Sequence, residues 1–244
     1  MDYLSDLPLE ILVNISKYLS TTDILNLASS SKRLSDIRFG IKFKHRVNFS
    51  RISTLTHFDS FINVVYDSEI NLRLPVSLRV LKWHCDKALP LLPDSLTHLE
   101  ISNYHDYPIT SLPCALKYLR LGYAHGHSLP QLPNSLIHLD LGGCYNHPLP
   151  QLPENLEYLN LGGVYDRPLP PLPLALKNLD LGHTFHQPIT EFPVSLTYLK
   201  LNYHYYSYKE LPVFPISLRH LVVVSGFKLF DESDIIIAYL NWKF

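Results

Sequence analysis

Charge is scarce in this 244-residue sequence: 18% of residues are Asp, Glu, Lys or Arg, and the formal net charge is −1. A chain so balanced has no global field that would recruit nucleic acid or an acidic membrane surface. Cysteine is scarce too. Cys85, Cys114 and Cys144 are odd in number and show no CxxC spacing, which argues for free thiols in a reducing compartment rather than a disulfide framework. No apolar run reaches the ~18 residues that a membrane-spanning helix needs. The opening MDYLSDLPLE carries acids instead of a basic n-region, so no secretory leader is expected. These absences predict an intracellular chain, cytoplasmic or nuclear. A phosphate-cradling glycine loop, a GxSxG elbow and an HExxH zinc motif are also missing, so the reading is non-enzymatic and no cofactor is expected.

What is present is proline, 19 against only 9 glycines, with 16 tyrosines and 13 histidines. The prolines are periodic. LP or FP recurs at Leu74-Pro75, Leu92-Pro93, Leu112-Pro113, Leu132-Pro133, Leu152-Pro153, Leu172-Pro173, Phe192-Pro193 and Phe214-Pro215, in steps of 18, 20, 20, 20, 20, 20 and 22 residues. Four residues after each comes LxxLxL, as in Leu136-Leu139-Leu141. The last two members alternate, which predicts a short strand with one face buried. A weaker copy, Phe61-Val64-Tyr66, reads as an N-terminal cap. Glycines at 122, 142, 162 and 182 follow four of the strands, where the chain must turn. The return segment, such as PLPQLP, has few free N–H groups and favours an extended or polyproline-like path. One such unit cannot bury its leucines alone. Stacked neighbours can, which predicts a leucine-rich-repeat-like solenoid with one parallel sheet.

The stretch RPLPPLP at 167–173 imitates a Src-homology-3 ligand. Its prolines have counterparts one period back, at Pro148, Pro150 and Pro153. They read as scaffold, with Leu169 and Leu172 facing the core.

Residues 2–48 carry no repeat, and LSDLPLEILVNISKYLSTTDILNLASSSKRLSDI reads as three short helices. Pro8 suits a first helical position, and Leu7, Ile11, Leu12, Ile15 and Leu19 follow helical spacing. Ser20 and Asp23 have the spacing of a capping box. With so few apolar residues the segment needs a partner or a neighbouring solenoid. The fold class expected is therefore α+β: helices at 2–48, a linker or capping repeat at 49–73, the solenoid at 74–224 and a closing segment at 225–244. For that last segment, helix and edge-covering strand are both open.

LPLEILVNISKYLSTTDILNLASSSKRL resembles an F-box, and the repeats resemble FNIP repeats, with Tyr145-Asn146-His147-Pro148-Leu149 the nearest copy. Ser31 and Leu34 stand where the F-box usually has cysteine and tryptophan, and His105 and His125 replace the FNIP aromatic. The resemblance implies a substrate-recognition adaptor of a cullin-type ubiquitin ligase. A Skp-type adaptor would dock on Leu7, Pro8, Ile11, Ile15, Leu19 and Leu25, and the repeats would hold an unknown target protein. The protein would act as a monomer within that complex. The alternative is a repeat-based binding module whose F-box remnant is only a structural cap.

The residues flanking the inner leucines point to the open face of the sheet. One column holds Val80, His98, Tyr118, His138, Tyr158, Asn178, Tyr198 and His220; its six rings, His98, Tyr118, His138, Tyr158, Tyr198 and His220, are a candidate target-binding surface because rings give large contact area at low entropic cost. The next holds Lys82, Glu100, Arg120, Asp140, Asn160, Asp180, Lys200 and Val222, whose signs compensate one another. No metal is expected. His98 and His138 lie two repeats apart, roughly 10 Å by strand spacing.

Overall fold

The structure, a computed structural model, describes residues 11, 14–15, 18–20, 23, 46–53, 58–67, 73–202, 212–224 and 235–239. Its strands are β1 (Val47–Asn48), β2 (Asn63–Tyr66), β3 (Val80–Trp83), β4 (His98–Ile101), β5 (Tyr118–Arg120), β6 (His138–Asp140), β7 (Tyr158–Asn160), β8 (Asn178–Asp180), β9 (Tyr198–Asn202), β10 (His220–Val224) and β11 (Ile235–Tyr239). The chain forms two compact units, Met1–Trp83 with Pro90–Leu96, and His84–Leu89 with Thr97–Phe244.

Each repeat is built from one turn and one strand. In Leu-Pro-x-Ser-Leu the proline carbonyl accepts from the leucine N–H three residues on, for example Leu136 N to Pro133 O at 3.0 Å and Leu96 N to Pro93 O at 3.0 Å. Proline suits the turn because its φ is already set and its missing N–H costs no ladder bond there. The serine then ties one repeat to the one before. Ser135 Oγ lies 2.6 Å from the carbonyl oxygen of Cys114 and 2.7 Å from that of Leu116. Ser195 does the same to Leu174 and Leu176 at 2.5 and 2.7 Å. Each hydroxyl shares its one proton between two carbonyls of the preceding coil.

In the first unit β1, β2 and β3 pair in parallel, with Val47 opposite Val64 and Val64 opposite Leu81. Tyr66 stacks on Trp83 at 4.1 Å between ring centres, closing the core of that unit. In the second unit β4 to β10 run parallel in chain order, and Leu119, Leu139, Leu159, Leu179 and Leu199 stand in one row. All five are fully buried, each worth roughly 1.5–3 kcal/mol of transfer free energy. A second buried row lies in the return segments: His105, His125, Tyr145, Tyr165 and Phe185, stacked at 6.2 to 6.4 Å.

The α+β class is corrected by this structure. Among the described residues the delimited elements are eleven strands and two three-residue 3₁₀ turns, and no α-helix is delimited. The class is a parallel β-solenoid of the leucine-rich-repeat kind. Twenty residues per coil are used up by strand, turn and a return whose prolines deny helical hydrogen bonds. The three-helix unit expected at 2–48 falls largely outside the described residues. Within it, Ile11, Asn14, Ile15 and Asp23 have helical backbone, and Asp23 N–H donates to Ser20 Oγ at 3.1 Å, half of a capping box. Two further expectations resolve. The closing segment contributes a strand, β11, antiparallel to β10 with Leu221 opposite Ala238. Leu169 and Leu172 are only half-buried, so the prolines of 167–173 are scaffold but those leucines are not core. Arg167 Nε donates back to the Asn146 carbonyl at 3.1 Å, engaging the preceding repeat.

Candidate binding face

Alternation along each short strand sends the central leucine inward and both neighbours to the open face. The outer column is a stack of rings. His98 and Tyr118 lie 5.8 Å apart, Tyr118 and His138 4.3 Å, and His138 and Tyr158 3.9 Å, with planes within 21° of parallel. Asn178 interrupts it. Beyond the interruption Tyr198 and His220 resume at 6.5 Å, tilted by 43°. Tyr118, His138, Tyr158 and Tyr198 are half-buried, and His98 and His220 exposed. Stacking and surface availability coexist, because the rings cover each other's faces and present their edges outward.

Burial favours the neutral forms of five of these rings. Burial lowers the pKa of His98, with Lys117 adding to the effect, and burial lowers that of His138. Burial likewise raises the tyrosine hydroxyls of Tyr118, Tyr158 and Tyr198 above the usual phenol value. From His98 to Tyr198 the face thus offers aromatic edges and hydroxyls biased toward their uncharged forms.

The inner column is a self-compensating ladder, as its alternation of signs leads one to expect. Arg120 lies 3.9 Å from Glu100 and 3.6 Å from Asp140, and Lys200 lies 3.0 Å from Asp180. Its acids have a second task that the sign pattern does not reveal. Asp140, Asn160 and Asp180 each accept through Oδ1 from the N–H of the glycine two residues on, at 3.0, 2.9 and 2.9 Å. The recurring Asp-Leu-Gly and Asn-Leu-Gly triplets signal these turns in the sequence. Along this edge runs a groove of about 560 Å³, lined by Arg120, Asp140, Asn160, Asp180, Lys200 and the glycine turns.

The six residues proposed from sequence for target binding thus share one face of the second unit. The F-box contacts are divided. Ile11 is 45% exposed, Ile15 and Leu19 are half-buried, and Leu7, Pro8 and Leu25 lie outside the described residues. Sequence reasoning missed the seating of His105 and His125, which are fully buried. Neither ring makes a hydrogen bond of good geometry at either nitrogen among the described residues, though the backbones of Lys87 and His127 act on His105 and His125 against the effect of burial. No group of three or more His, Cys, Asp or Glu among the described residues is placed to hold a metal ion.

Comparison with solved structures gives YopM from Yersinia enterocolitica WA-314, 25% identical with a TM-score of 0.53 over 68% of this chain and 43% of that one. It also gives CroV588, described as a novel circular LRR protein, 25% identical with a TM-score of 0.50 over 77% of this chain and 34% of that one. The chain therefore spans less than half the length of either. No curated protein matches it. The F-box domain family model matches residues 4–37, and the FNIP repeat model matches residues 86–124. With the stacked coils in view, the chain carries a match to the F-box domain followed by a match to the FNIP repeat, the latter within a leucine-rich-repeat-like solenoid.

Proposed function

We propose that this protein is a substrate-recognition adaptor of a cullin-type ubiquitin ligase, working inside the cell in a reducing compartment. The segment 4–37 docks a Skp-type adaptor, and the ring column of the second unit holds a target protein. The observation that carries this reading is the joining of an F-box domain to a repeat array in one chain. An F-box alone offers a docking segment without a cargo, and a repeat array alone offers a cargo face without a destination. The exposed Ile11 supports it, since a docking contact must be available before the partner arrives. Binding, rather than catalysis, is the role such modules serve.

The test is retention of a Skp-type adaptor by the purified full chain, beside a Leu7→Asp, Ile11→Asp double variant. Wild type is expected to retain it and the variant to lose it, with the urea midpoint of the solenoid unchanged. Absence of retention by wild type would remove the ligase role. The repeats would then stand as a binding module, the reading that Ser31 and Leu34 favour by thinning the apolar surface where tryptophan is usual.

A further inference from the structure

The ring column has one missing rung. Strands β7, β8 and β9 pair with Tyr158 opposite Asn178 and Asn178 opposite Tyr198. One face of Tyr158 is covered by His138, 3.9 Å away and within 6° of parallel. Its other face looks across Asn178 toward Tyr198. Tight rungs of this column step by 3.9 and 4.3 Å, and strands elsewhere by ~4.8 Å, so the two tyrosine rings flank a slot about 8–10 Å between centres. A planar group lying in van der Waals contact with a ring on each side needs about 7–8 Å. One such group fits and two do not. Asparagine is shorter than tyrosine, so its carboxamide forms the floor and the outer slot is walled by ring faces alone. Among the described residues that carboxamide has no hydrogen-bond partner.

The sign of the local field is also defined. After burial, the groups that hold the Tyr158 hydroxyl above its ordinary pKa are the acids Asp140 and Asp180, followed by the neighbouring tyrosines. Asp180 acts in the same sense on Tyr198, with Lys200 opposing. Both acids are already engaged by Arg120 and Lys200. Their residual field is therefore modest, and the width of the slot discriminates more than charge does.

We propose that the gap at Asn178 is a receptor slot for a planar cationic side chain, the guanidinium of an arginine on the target protein, held between Tyr158 and Tyr198. The Asn178 carboxamide oxygen accepts one of its N–H groups. Width selects a plane, which a lysine ammonium lacks. The acids select a cation, which excludes a carboxylate and gives an indole no advantage. Two ring faces supply the cation–π contact that guanidinium groups favour. This assignment deepens the target-binding role given to the open face and rests on it.

The test uses the full chain with labelled tyrosine rings, titrated with N-acetyl-arginine amide and followed by nuclear magnetic resonance. Saturable shifts are expected at Tyr158 and Tyr198 and not at Tyr118. The citrulline analogue keeps the plane without the charge and should bind about fivefold more weakly, while the lysine analogue should leave both rings unmoved. Asn178→Tyr supplies the missing rung, so it should abolish the shifts while leaving the urea midpoint equal or higher. The slot is overturned if wild type shows no saturable shift, if Asn178→Tyr shifts equally, or if N-acetyl-tryptophan amide binds more tightly than the arginine probe. Failure of the open face as a whole reads differently: a target still captured after joint replacement of Tyr118, Tyr158 and Tyr198 removes the face, whereas a failed slot leaves it standing.

Discussion

His105 and His125 occupy the buried row that Tyr145, Tyr165 and Phe185 continue. An aromatic there contributes packing, and Tyr145 and Tyr165 also direct their hydroxyls at the Pro148 and Pro168 carbonyls, 3.4 Å away. A histidine brings two polar nitrogens that make no hydrogen bond of good geometry among the described residues, an arrangement that costs free energy whichever tautomer is present. Burial lowers the pKa of both, and that of His125 falls to about 4 with His105 and His127 adding to the effect. The folded state therefore keeps His125 neutral where the unfolded chain binds a proton. Its contribution to stability is whole above pH 6.5 and is lost as pH falls from there through about 4, on the order of 3 kcal/mol in all. Urea midpoints measured at pH 7.5, 6 and 5 should fall steadily for wild type. In His125→Phe, which keeps the stack without the titrating group, they should fall less, and two parallel pH profiles would sink the argument.

At the scale of the element, three successive coils turn on an Asx-capped glycine. Gly142, Gly162 and Gly182 have φ of 70°, 78° and 71°, a region where side chains are strained. The coils also touch there: a Cβ on Gly162 would lie 1.7 Å from the Gly142 carbonyl oxygen. Gly162→Ala should therefore cost more than about 2 kcal/mol, combining left-handed strain with displacement of a neighbouring turn. A urea melt within experimental error of wild type would show that the turn relaxes. This element shows how far the sequence could be read. The period, the leucine triplets and the two outward columns were legible because side chains alternate across a strand and the repeat is nearly invariant at 20 residues. The sign pattern hides the Asx turns, because pairing with Arg120 and Lys200 already accounts for Asp140 and Asp180. Two other features were illegible for physical reasons. The run Ile235-Ile236-Ile237 has no periodicity that separates helix from strand, and His105 and His125 look like surface residues until stacking places them inside. The helices expected from the spacing of Ile11, Ile15 and Leu19 did not extend to the fold class, which the strands decide.

For the whole molecule, stability is the sum of coils and of contacts between adjacent coils. Leu139 is fully buried and stands between Leu119 and Leu159. Truncating it to alanine should cost about 2–5 kcal/mol, read as a fall in the urea midpoint. A loss confined to fractions of a kcal/mol would mean that the coils close over the cavity.

The serine bonds between coils carry a further consequence. Ser135 reaches the carbonyls of Cys114 and Leu116, and Ser195 those of Leu174 and Leu176, each about one coil back, by the same chemistry. The backbone carbonyls recur with the period but the donor does not: Ala115 and Ala175 hold the serine position in two coils, and in a third Asn155 donates through Nδ2 to the Asn134 carbonyl at 3.3 Å. Excising 132–151 would remove one whole period and Ser135 with it, leaving Asn155 to face the coil of Cys114, and would shorten the open face by one strand spacing, ~4.8 Å. The array is in this sense a ruler: duplicating or deleting whole divisions sets the span of its open face, with only the donor at the seam to be matched.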